Sequence, residues 1–493
     1  MAARSTMHPW DDDKLREECG IFGLYGHPDA AKHTALGLHA LQHRGQEAAG
    51  IVSYDGRVFH THRSLGHVGD IFSSPAVMAA LAGERAIGHV RYSTQGETML
   101  RNVQPIFADL EGGGLAIAHN GNLTNALQLR RELVKRGCIF QSTMDTEVIV
   151  HLIATSAATG FLDRLVDALG HVQGAYSLIL LTGEAMIGVR DRFGVRPLVL
   201  GRIPGPDPGP GGYILTSETC ALDIIGARHV RDVEAGEVVV IDADGVRTLK
   251  PFARAPSKFC VFEYIYFSRP DSVVEGRNVY QARKRIGAEL ARESGVPADV
   301  VVPVPDSGVP AAMGYAEQAG LPFELGIIRN HYVGRTFIEP SDSIRHLGVK
   351  LKHNANGAVL AGKRVVLVDD SIVRGTTSTK IVEMVREAGA REVHMRIASP
   401  PTTNSCFYGV DTPVREQLLA SHMDVAEMAR HIGVDSLAFV SPDGLYRAMG
   451  EAGRDAERPQ FCDACFTGDY PLPLVDHDGG EGPVQLSLLA ESV

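Results

Sequence analysis

The chain has 493 residues, of which 44% are hydrophobic and 22% are charged, and its formal net charge is −11. This composition is typical of globular proteins and excludes a disordered or fibrous chain, and at roughly 150 residues per domain the length predicts two or three domains. The acidic balance, without a long run of lysine or arginine, argues against bulk binding of nucleic acid.

Residues 1–18, MAARSTMHPWDDDKLREE, are polar and lack the apolar core of a secretory signal. No run of apolar residues is long enough to cross a membrane, so we expect a cytoplasmic protein. Seven cysteines in a large chain from a reducing compartment argue against a disulfide framework. Each cysteine is therefore a candidate nucleophile, metal ligand or core residue.

From Cys19 to about residue 250 the pattern is mainly β. Apolar residues near 3.6 spacing, each run closed by glycine, predict two helices over 34–45 and 124–137. The alternating runs AYSLILL and AMIGVR, joined by Thr-Gly-Glu over 175–190, predict a hairpin. The segment RIPGPDPGPGGY at 202–213 predicts a surface loop, because so much proline and glycine neither pairs in a sheet nor continues a helix.

Beyond about residue 255 the pattern changes to strand, loop and helix in turn. Strands are predicted at 298–304, 363–368 and 392–398, with helices between them that end at Gly320 and Gly389. This alternation predicts a parallel sheet covered by helices, with ligands at the carboxyl ends of the strands.

The stretch VVLVDDSIVRGTTS at 365–378 combines a buried strand, two carboxylates and a Gly/Thr-rich loop before a helix. Such a loop suits a phosphomonoester, and Asp369 and Asp370 project where the hydroxyls of a sugar could lie. No Walker lysine is present, so ATP is not indicated. The alternative is a helix capped by Thr376 or Ser378, with both aspartates solvated.

This stretch resembles the signature of type I phosphoribosyltransferases, which bind 5-phosphoribosyl-1-diphosphate (PRPP). The resemblance implies that Asp369 and Asp370 hold the ribose hydroxyls and, with Ser307, the Mg²⁺ ion. RNHYVGRTFIEP at 329–340 matches the mobile loop that closes over the substrate in that family. The implied PRPP-binding residues are Arg329, Tyr332, Arg335, Asp369, Asp370, Arg374, Gly375, Thr376, Thr377 and Ser378.

Cys19 directly precedes the strand-like run GIFGLY, where a cysteine is usually a small buried hydrophobe. Four motifs further along change that interpretation, because together they resemble the N-terminal-nucleophile glutamine amidotransferases. They are HRGQE at 43–47, GHVRYSTQG at 88–96, AHNGNLTN at 118–125 and STMDTE at 142–147.

In that family the cysteine becomes the first residue, and its own α-amine, with a pKa near 8, is the base for the thiol. Cleavage of the Glu18–Cys19 bond would free this amine, so residues 1–18 are predicted to be a propeptide. The resemblance implies that Asn120 and the N–H of Gly121 form the oxyanion hole. It also implies that glutamine is bound by Arg44, Arg91 and Asp145.

Four further cysteines are candidate metal ligands, and a lone C-x-x-C at Cys462 and Cys465 is weak evidence for such a site. Four thiolates suit zinc or iron–sulfur equally, and no metal at all is a third possibility. The surroundings of Cys260, Cys406, Cys462 and Cys465 resemble the subgroup of amidophosphoribosyltransferases that carries a [4Fe-4S] cluster and a cleaved propeptide. The remaining two, Cys138 and Cys220, are predicted to be structural.

The resemblance to the amidophosphoribosyltransferase family covers about 19–475. It implies an α+β N-terminal-nucleophile hydrolase domain of layered antiparallel sheets with helices, followed by an α/β type I phosphoribosyltransferase domain with a parallel sheet. The expected boundaries are 1–18 for the propeptide, 19–255 for the glutaminase domain, 256–475 for the phosphoribosyltransferase domain and 476–493 for a flexible tail.

The implied function is glutamine-dependent amination of PRPP, the first committed step of purine synthesis, in an enzyme that uses Mg²⁺ and a [4Fe-4S] cluster. A homotetramer and allosteric feedback inhibition by purine nucleotides are further expectations from the family. Two alternatives stay open: an amidotransferase of the same class that makes an amino sugar or asparagine, and a PRPP-sensing regulator without catalysis. The DDSIVRGTTS loop argues against the first, and the lack of a recognisable helix-turn-helix against the second.

Overall fold

The computed structural model describes residues 16–17, 19–92, 99–205, 211–330 and 353–476. The strands of the first half are β1 (Arg16–Glu17), β2 (Cys19–Tyr25), β3 (Ala48–Tyr54), β4 (Phe59–Leu65), β5 (Arg85–Arg91), β6 (Ile106–Leu110), β7 (Gly113–Leu123), β8 (Gly174–Thr182), β9 (Met186–Arg190), β10 (Val199–Ile203), β11 (Gly212–Thr216), β12 (Arg228–Asp232), β13 (Val238–Asp242) and β14 (Gly245–Leu249). Its helices are α1 (Ala30–Ala40), α2 (Val68–Ile71), α3 (Pro75–Ala80), α4 (Ala126–Lys135), α5 (Thr146–Thr155), α6 (Phe161–His171) and α7 (Cys220–Asp223).

Two antiparallel sheets face each other in the first half. Over the described ranges, one sheet has the order β12-β10-β11-β2-β5-β3-β4 and the other the order β14-β13-β9-β8-β7-β6. Ile21 and Ile87 from the first sheet pack against Ala118 and Ile179 from the second in a fully buried core. Because side chains alternate along a strand, Phe22 and the other residues of opposite parity face outward, where helices cover them.

The outer layers are helical, which gives a four-layer arrangement of helix, sheet, sheet and helix. Helix α1 covers the first sheet, and its Gly37 lets Phe22 lie against the helix backbone. Helices α4, α5 and α6 cover the second sheet through Leu129, Ile149 and Leu165. The predicted layered antiparallel fold of this half is confirmed.

The predicted bounds differ from the structure at three places in this half. The helix expected over 34–45 begins earlier, at Ala30, and ends at Ala40, because the next residues form a separate 3-10 turn at Gln42–Arg44. The helix expected over 124–137 spans Ala126–Lys135. The surface loop predicted at 202–213 is too long at both ends, because residues 202–203 belong to β10 and residues 212–213 to β11, and these strands pair. The pairing is possible because all the prolines of this segment lie between the paired residues.

The second half contains a parallel sheet with helices on both faces. Its strands are β15 (Phe259–Cys260), β16 (Val273–Val274), β17 (Arg277–Asn278), β18 (Val300–Pro303), β19 (Ile327–Arg329), β20 (His353–Ala355), β21 (Arg364–Asp369), β22 (Glu392–Ile397), β23 (Val410–Asp411), β24 (Ser436–Phe439) and β25 (Phe461–Cys462). Its helices are α8 (Val279–Ser294), α9 (Val309–Ala319), α10 (Gly357–Leu360), α11 (Thr376–Glu387), α12 (Val425–Ile432), α13 (Pro442–Ala448) and α14 (Ala464–Thr467). None of the helices in the described parts of the chain is long and apolar enough to cross a membrane.

The parallel sheet has the order β18-β21-β22-β24. Successive valines of β18 pack on opposite faces of the sheet. Val301 packs with α8 and α9 on one face, and Val302 packs with α11 on the other. Each parallel strand is therefore buried on both sides, which explains the continuous apolar runs in the sequence. The prediction of a parallel sheet is confirmed.

Candidate active sites and thiol cavity

Cys19 begins the central strand β2 of the first antiparallel sheet. It pairs in register with Arg91 of β5, and Arg91 also pairs with Ala48 of β3. Both Cys19 and Arg91 are 5% exposed. The backbone of Gly45 lies so close to β5 that a β-carbon on Gly45 would be 2.6 Å from the backbone nitrogen of Arg91. The structure thus places the candidate nucleophile next to a candidate carboxylate-binding arginine.

Asn120 and Gly121 lie on β7 of the facing sheet, and Ser217 connects them with the Cys19 strand. Ser217 Oγ accepts a hydrogen bond from the Ile21 backbone N–H at 3.1 Å and another from Asn120 Nδ2 at 3.5 Å. Asn120 is fully buried, and its Oδ1 has no hydrogen-bond partner within the described ranges. The sequence interpretation missed Ser217, for which the only signal was a polar residue directly after an apolar strand.

Gly121 adopts a backbone conformation that favours glycine, with φ at +144°. A β-carbon at this position would overlap the Ala175 carbonyl oxygen of the paired strand β8. Glycine is therefore required at position 121, because of both the backbone conformation and the lack of space for a side chain. The Asn-Gly pair lies within β7 and does not form a hairpin turn.

Asp145 directly precedes α5 and contacts two residues of β7 that flank Asn120 and Gly121. Its Oδ2 accepts from the Leu123 N–H at 3.0 Å, and its Oδ1 lies 3.5 Å from Nδ1 of His119. Burial acts to raise the pKa of Asp145, but His119 and the backbone N–H groups outweigh burial and lower that pKa below its usual value. An ionised Asp145 suits an ammonium group, and the sequence interpretation did not single out His119.

Arg44 is fully buried in a cluster of charges that joins the two halves. Its guanidinium donates to Glu218 of the first half, and its Nη2 donates to Oε2 of Glu263 in the second half at 2.7 Å. Arg196 also donates to Glu263. Burial acts to raise the pKa of Glu263, but the two arginines outweigh burial and hold that pKa well below its usual value. These contacts give Arg44 two protein carboxylates, whereas the sequence interpretation counted it among the residues that bind glutamine.

Asp369 is the last residue of β21 at the carboxyl edge of the parallel sheet, and Asp370 follows it; they are 2% and 1% exposed. Asp369 Oδ1 accepts from the Asp370 N–H at 2.9 Å, and Asp370 Oδ1 accepts from Ser371 Oγ at 2.7 Å. These contacts orient both carboxylates within the protein. The predicted alternative of solvated aspartates is therefore wrong.

The Gly/Thr-rich loop ends where α11 begins. Gly375 precedes the helix with φ at +82°, and Thr376, Thr377 and Ser378 form its first turn. The backbone N–H groups of a first helical turn have no partner within the helix and can bind an anion. Arg374 flanks this turn, where its Nη2 lies 3.3 Å from the side-chain oxygen of Gln417.

Ser307 follows β18 and lies near the end of the neighbouring strand β21. A β-carbon on the next residue, Gly308, would lie 2.5 Å from the carbonyl oxygen of Val368, directly before Asp369. Arg329 at the end of β19 reaches the same edge and contacts Asp306 at 2.5 Å. The other two candidates of that segment, Tyr332 and Arg335, lie outside the described residues.

The four candidate ligand cysteines, 260, 406, 462 and 465, line a single cavity together with Phe262, Tyr408 and Tyr470. The parallel pairing of β15 with β25 places Cys260 opposite Cys462. Burial is the main cause that raises the pKa of Cys260 to about 12 and those of Cys462 and Cys465 well above the usual value. Thiols this buried require a cationic partner to ionise.

The other two cysteines behave as predicted for structural residues. Cys220 is buried beneath α1, and burial raises its pKa far above the usual range. Cys138 is half-buried and packs against the helices that cover the second sheet.

Two family models match this chain. One describes a glutamine amidotransferase domain and matches residues 89–223, and the other describes a phosphoribosyl transferase domain and matches residues 271–399. The order of the two matches along the chain agrees with the order of the two sites.

Curated relatives match the chain over nearly its whole length. The amidophosphoribosyltransferase of Rhizobium etli is 59% identical over 99% of this chain and 98% of the relative. A chloroplastic amidophosphoribosyltransferase of Vigna aconitifolia is 54% identical over 94% of this chain and 93% of the relative. The enzyme of that name from Bacillus subtilis is 48% identical over 93% of this chain and 95% of the relative.

Solved structures give the same result. The glutamine PRPP amidotransferase of B. subtilis, solved with ADP and GMP, superposes with a TM-score of 0.86 at 47% identity and covers 92% of this chain and 98% of its own. A structure described as the allosteric regulatory enzyme of purine biosynthesis superposes with a TM-score of 0.87 at 47% identity, covering 92% of this chain and 97% of its own.

Proposed function

The chain belongs to the amidophosphoribosyltransferases, and on that premise we propose how its own residues carry out the two halves of the reaction. The enzyme transfers the amide nitrogen of glutamine to C1 of PRPP in purine biosynthesis. The products are 5-phosphoribosylamine, diphosphate and glutamate. The observation that carries the residue assignment is the register pairing of Cys19 with Arg91, opposite Asn120 on the facing sheet.

Cys19 is the nucleophile of the first half-reaction. Cleavage of the Glu18–Cys19 bond removes the propeptide and frees an α-amine that takes the thiol proton. The sulfur then bonds to the carboxamide carbon, and the oxyanion that forms is stabilised by Asn120 Nδ2 and the Gly121 N–H. Collapse of this intermediate expels ammonia, which takes up the proton, and leaves a thioester that water hydrolyses to glutamate.

The α-groups of glutamine are held by Arg91 and Asp145. The guanidinium of Arg91 suits the carboxylate, and the ionised Asp145 suits the ammonium. We reassign Arg44 from a glutamine contact to a supporting residue, because Glu218 and Glu263 occupy its donors. Arg44 directly precedes Gly45, which lies against Arg91, so the buried cluster fixes the wall of this site.

The carboxyl edge of the parallel sheet binds PRPP. The first turn of α11 holds the 5'-phosphate, and the buried carboxylates of Asp369 and Asp370 hold the ribose hydroxyls. Arg329 and, by family resemblance, Tyr332 and Arg335 contact the diphosphate side. Mg²⁺ prefers oxygen ligands, which Ser307 and the two aspartates offer, and when bound it would neutralise the leaving diphosphate. Ammonia displaces the diphosphate from C1, where positioning and charge dominate the barrier.

The four cysteines of the cavity offer soft thiolates, which suit a [4Fe-4S] cluster or a zinc ion. The resemblance of their surroundings to the iron–sulfur subgroup of the family favours the cluster. When bound, the iron would supply the positive charge that keeps these buried thiols ionised. We assign the cavity a structural role apart from both half-reactions.

The remaining family features are part of the same proposal. The domains are 19–255 and 256–475, and purine nucleotides inhibit a homotetramer, in keeping with the ADP and GMP bound to the B. subtilis relative. Seven cysteines in a chain of this size, with no disulfide framework expected, suit a reducing compartment, so we place the enzyme in the cytoplasm.

Glutaminase and synthesis assays on the Cys19→Ala variant test the assignment. We expect the variant to lose glutamine-dependent synthesis while it keeps synthesis from ammonium chloride, with Cys138→Ser as the control that retains both. Retention of glutamine use by the processed Cys19→Ala protein would contradict the proposal. In the wild type, PRPP should raise glutaminase activity above its basal rate. Glutaminase activity that PRPP does not change would indicate another amidotransferase, and the absence of activity would indicate a regulator.

Intact-mass analysis of the purified protein, with iron and sulfide content, tests the finer assignments. We expect a chain that begins at Cys19 and contains about four iron and four sulfide per chain. A chain that keeps residues 1–18 in the active enzyme, or that binds zinc in place of iron, would overturn them.

A further inference from the structure

A segment of the second half lies directly on the oxyanion hole of the first half. This segment, residues 406–411, runs from a cavity cysteine to β23. A β-carbon built on Gly409 would lie 2.9 Å from the Cα and 3.1 Å from the carbonyl carbon of Gly121. The two backbones are therefore in contact without any intervening side chain, and φ of +96° at Gly409 further favours glycine.

Other contacts fix the segment in this position. Asn122 Nδ2 donates to the Phe407 carbonyl at 2.9 Å, so β7 holds the segment at a second point. The buried Tyr408 donates to the Leu472 carbonyl at 2.9 Å, and its oxygen accepts from the Leu472 N–H at 3.1 Å. The segment is therefore held by hydrogen bonds from both domains, through Asn122 in the first and Leu472 in the second.

Gly121 has little freedom to move away from Gly409. It pairs with Tyr176 of β8, and the carbonyl of Ala175 already lies within the space of a β-carbon. Protein interiors at this density transmit displacements to their neighbours. A shift of the 406–411 segment therefore changes the direction of the Gly121 N–H.

We propose that Gly409 is a positioning residue for glutamine hydrolysis, which sets the Gly121 N–H toward the oxyanion from the opposite domain. The inference rests on the proposed role of Gly121 in the oxyanion hole. It gives the glutaminase site a component from the phosphoribosyltransferase half that touches neither glutamine nor PRPP.

The test is Gly409→Ala, with Gly450→Ala as its matched control. Gly450 has φ of +91°, similar to that of Gly409, but a β-carbon there would meet no atom within 4 Å. The control therefore introduces the same backbone strain without the contact. Both are measured as processed enzyme for glutaminase kcat, KM for glutamine and synthesis from ammonium chloride.

We expect Gly409→Ala to lower the glutaminase kcat about tenfold, less than the hundredfold or more for complete loss of an oxyanion donor. KM for glutamine should stay within about twofold, because the N–H acts on the transition state and not on bound substrate. Ammonia-dependent synthesis should be unchanged, and Gly450→Ala should match the wild type in all three measurements.

Equal kinetics of Gly409→Ala and Gly450→Ala, a rise in KM alone, or a parallel loss of ammonia-dependent synthesis would each overturn the inference. Should Gly409→Ala fail to fold, Asn122→Ala decides, because it releases Phe407 without adding an atom. A lower kcat at unchanged KM supports the inference, and a wild-type kcat overturns it. If Cys19→Ala keeps glutamine use, the proposed function itself fails, independently of Gly409.

Discussion

Ser217 links the strand of Cys19, the proposed nucleophile, to the side chain of Asn120 in the proposed oxyanion hole. Its hydroxyl oxygen accepts from the Ile21 N–H and from Asn120 Nδ2, so it sets the distance between the two sheets at this point. Because Asn120 Nδ2 is held by one neutral partner at 3.5 Å, it can turn to the oxyanion at small cost. Ser217 thus acts through Asn120 and does not contact glutamine.

Ser217→Ala should lower the glutaminase kcat about fivefold, and Asn120→Ala about 100- to 1000-fold, the usual range for loss of one oxyanion donor. Since Ser217 acts through Asn120, the double variant should be no slower than Asn120→Ala alone. Steady-state kinetics of the three variants check this, with ammonia-dependent synthesis as the control. Additive losses would show that Ser217 has a separate role.

His89 lies next to this site, and its burial predicts that the stability of the protein depends on pH in acid. It is fully buried, its Nε2 lies 3.1 Å from the carbonyl oxygen of His119, and burial lowers its pKa to about 3. Below the unfolded pKa of about 6.5, the unfolded chain binds a proton that the folded chain excludes, so stability falls as the pH falls.

His89→Gln should make the free energy of unfolding less sensitive to acid. Between pH 6.5 and 5 the wild type should lose about 2 kcal/mol more than the variant, at about 1.4 kcal/mol per pH unit for one proton. Urea unfolding at pH 5, 6.5 and 8 measures this, and above pH 7 the difference between the proteins should be constant. Parallel curves down to pH 5 would refute the prediction.

At the scale of elements, the carboxyl edge of the parallel sheet is the proposed PRPP site. Adjacent parallel strands end at one edge, and this brings Ser307 and the acidic pair together although more than sixty residues separate them in the chain. The opposite edge offers another aspartate, the partly exposed Asp299, whose carboxylate accepts from the Arg364 N–H at 2.8 Å. The two edges therefore allow a comparison within one sheet.

Asp369→Asn should lower kcat/KM for PRPP about 100-fold, because loss of one buried charged partner costs about 2–5 kcal/mol. Glutaminase activity measured without PRPP should persist, since Cys19 lies in the other domain. Asp299→Asn at the opposite edge should leave both activities at the wild-type level. Equal effects of the two variants would show that the loss reflects sheet stability and not PRPP binding.

The whole molecule is joined by the buried charge cluster of Arg44, Arg196, Glu218 and Glu263. Glu263 comes from the second half, follows the cavity cysteine Cys260 by three residues and pairs with two arginines of the first half. Charges this buried are stable only as a set, because each ion loses its hydration. The cluster therefore holds the two halves in one orientation.

Glu263→Gln should destabilise the enzyme by about 3–5 kcal/mol, because two buried guanidinium groups lose their shared carboxylate. The control is Glu317→Gln, which breaks an exposed pair with Lys284 and should cost at most about 1 kcal/mol. Urea unfolding of both variants at pH 7 measures the difference. Similar losses would show that the cluster contributes little to the union of the halves.

The sequence by itself determined the sheet type of each half and named the candidate residues of both sites. Local signals suffice for such predictions. An alternating or a continuous apolar run shows whether a strand buries one face or both, and the stretch DDSIVRGTTS contains both the carboxylates and the loop. The helix over 124–137 shows the limit, because its first N–H groups are capped by Asp476, more than 300 residues away.

Only the tertiary structure decided the partners that come from distant parts of the chain. It showed that Arg44 pairs with Glu218 and Glu263, that Ser217 bridges the two sheets and that Gly409 packs against Gly121. None of these contacts leaves a periodic or local trace, because each is fixed by how two finished layers pack and not by the spacing of residues along one element. For this reason the sequence showed which chemistry the chain contains, and the fold showed how its two halves hold each other in position.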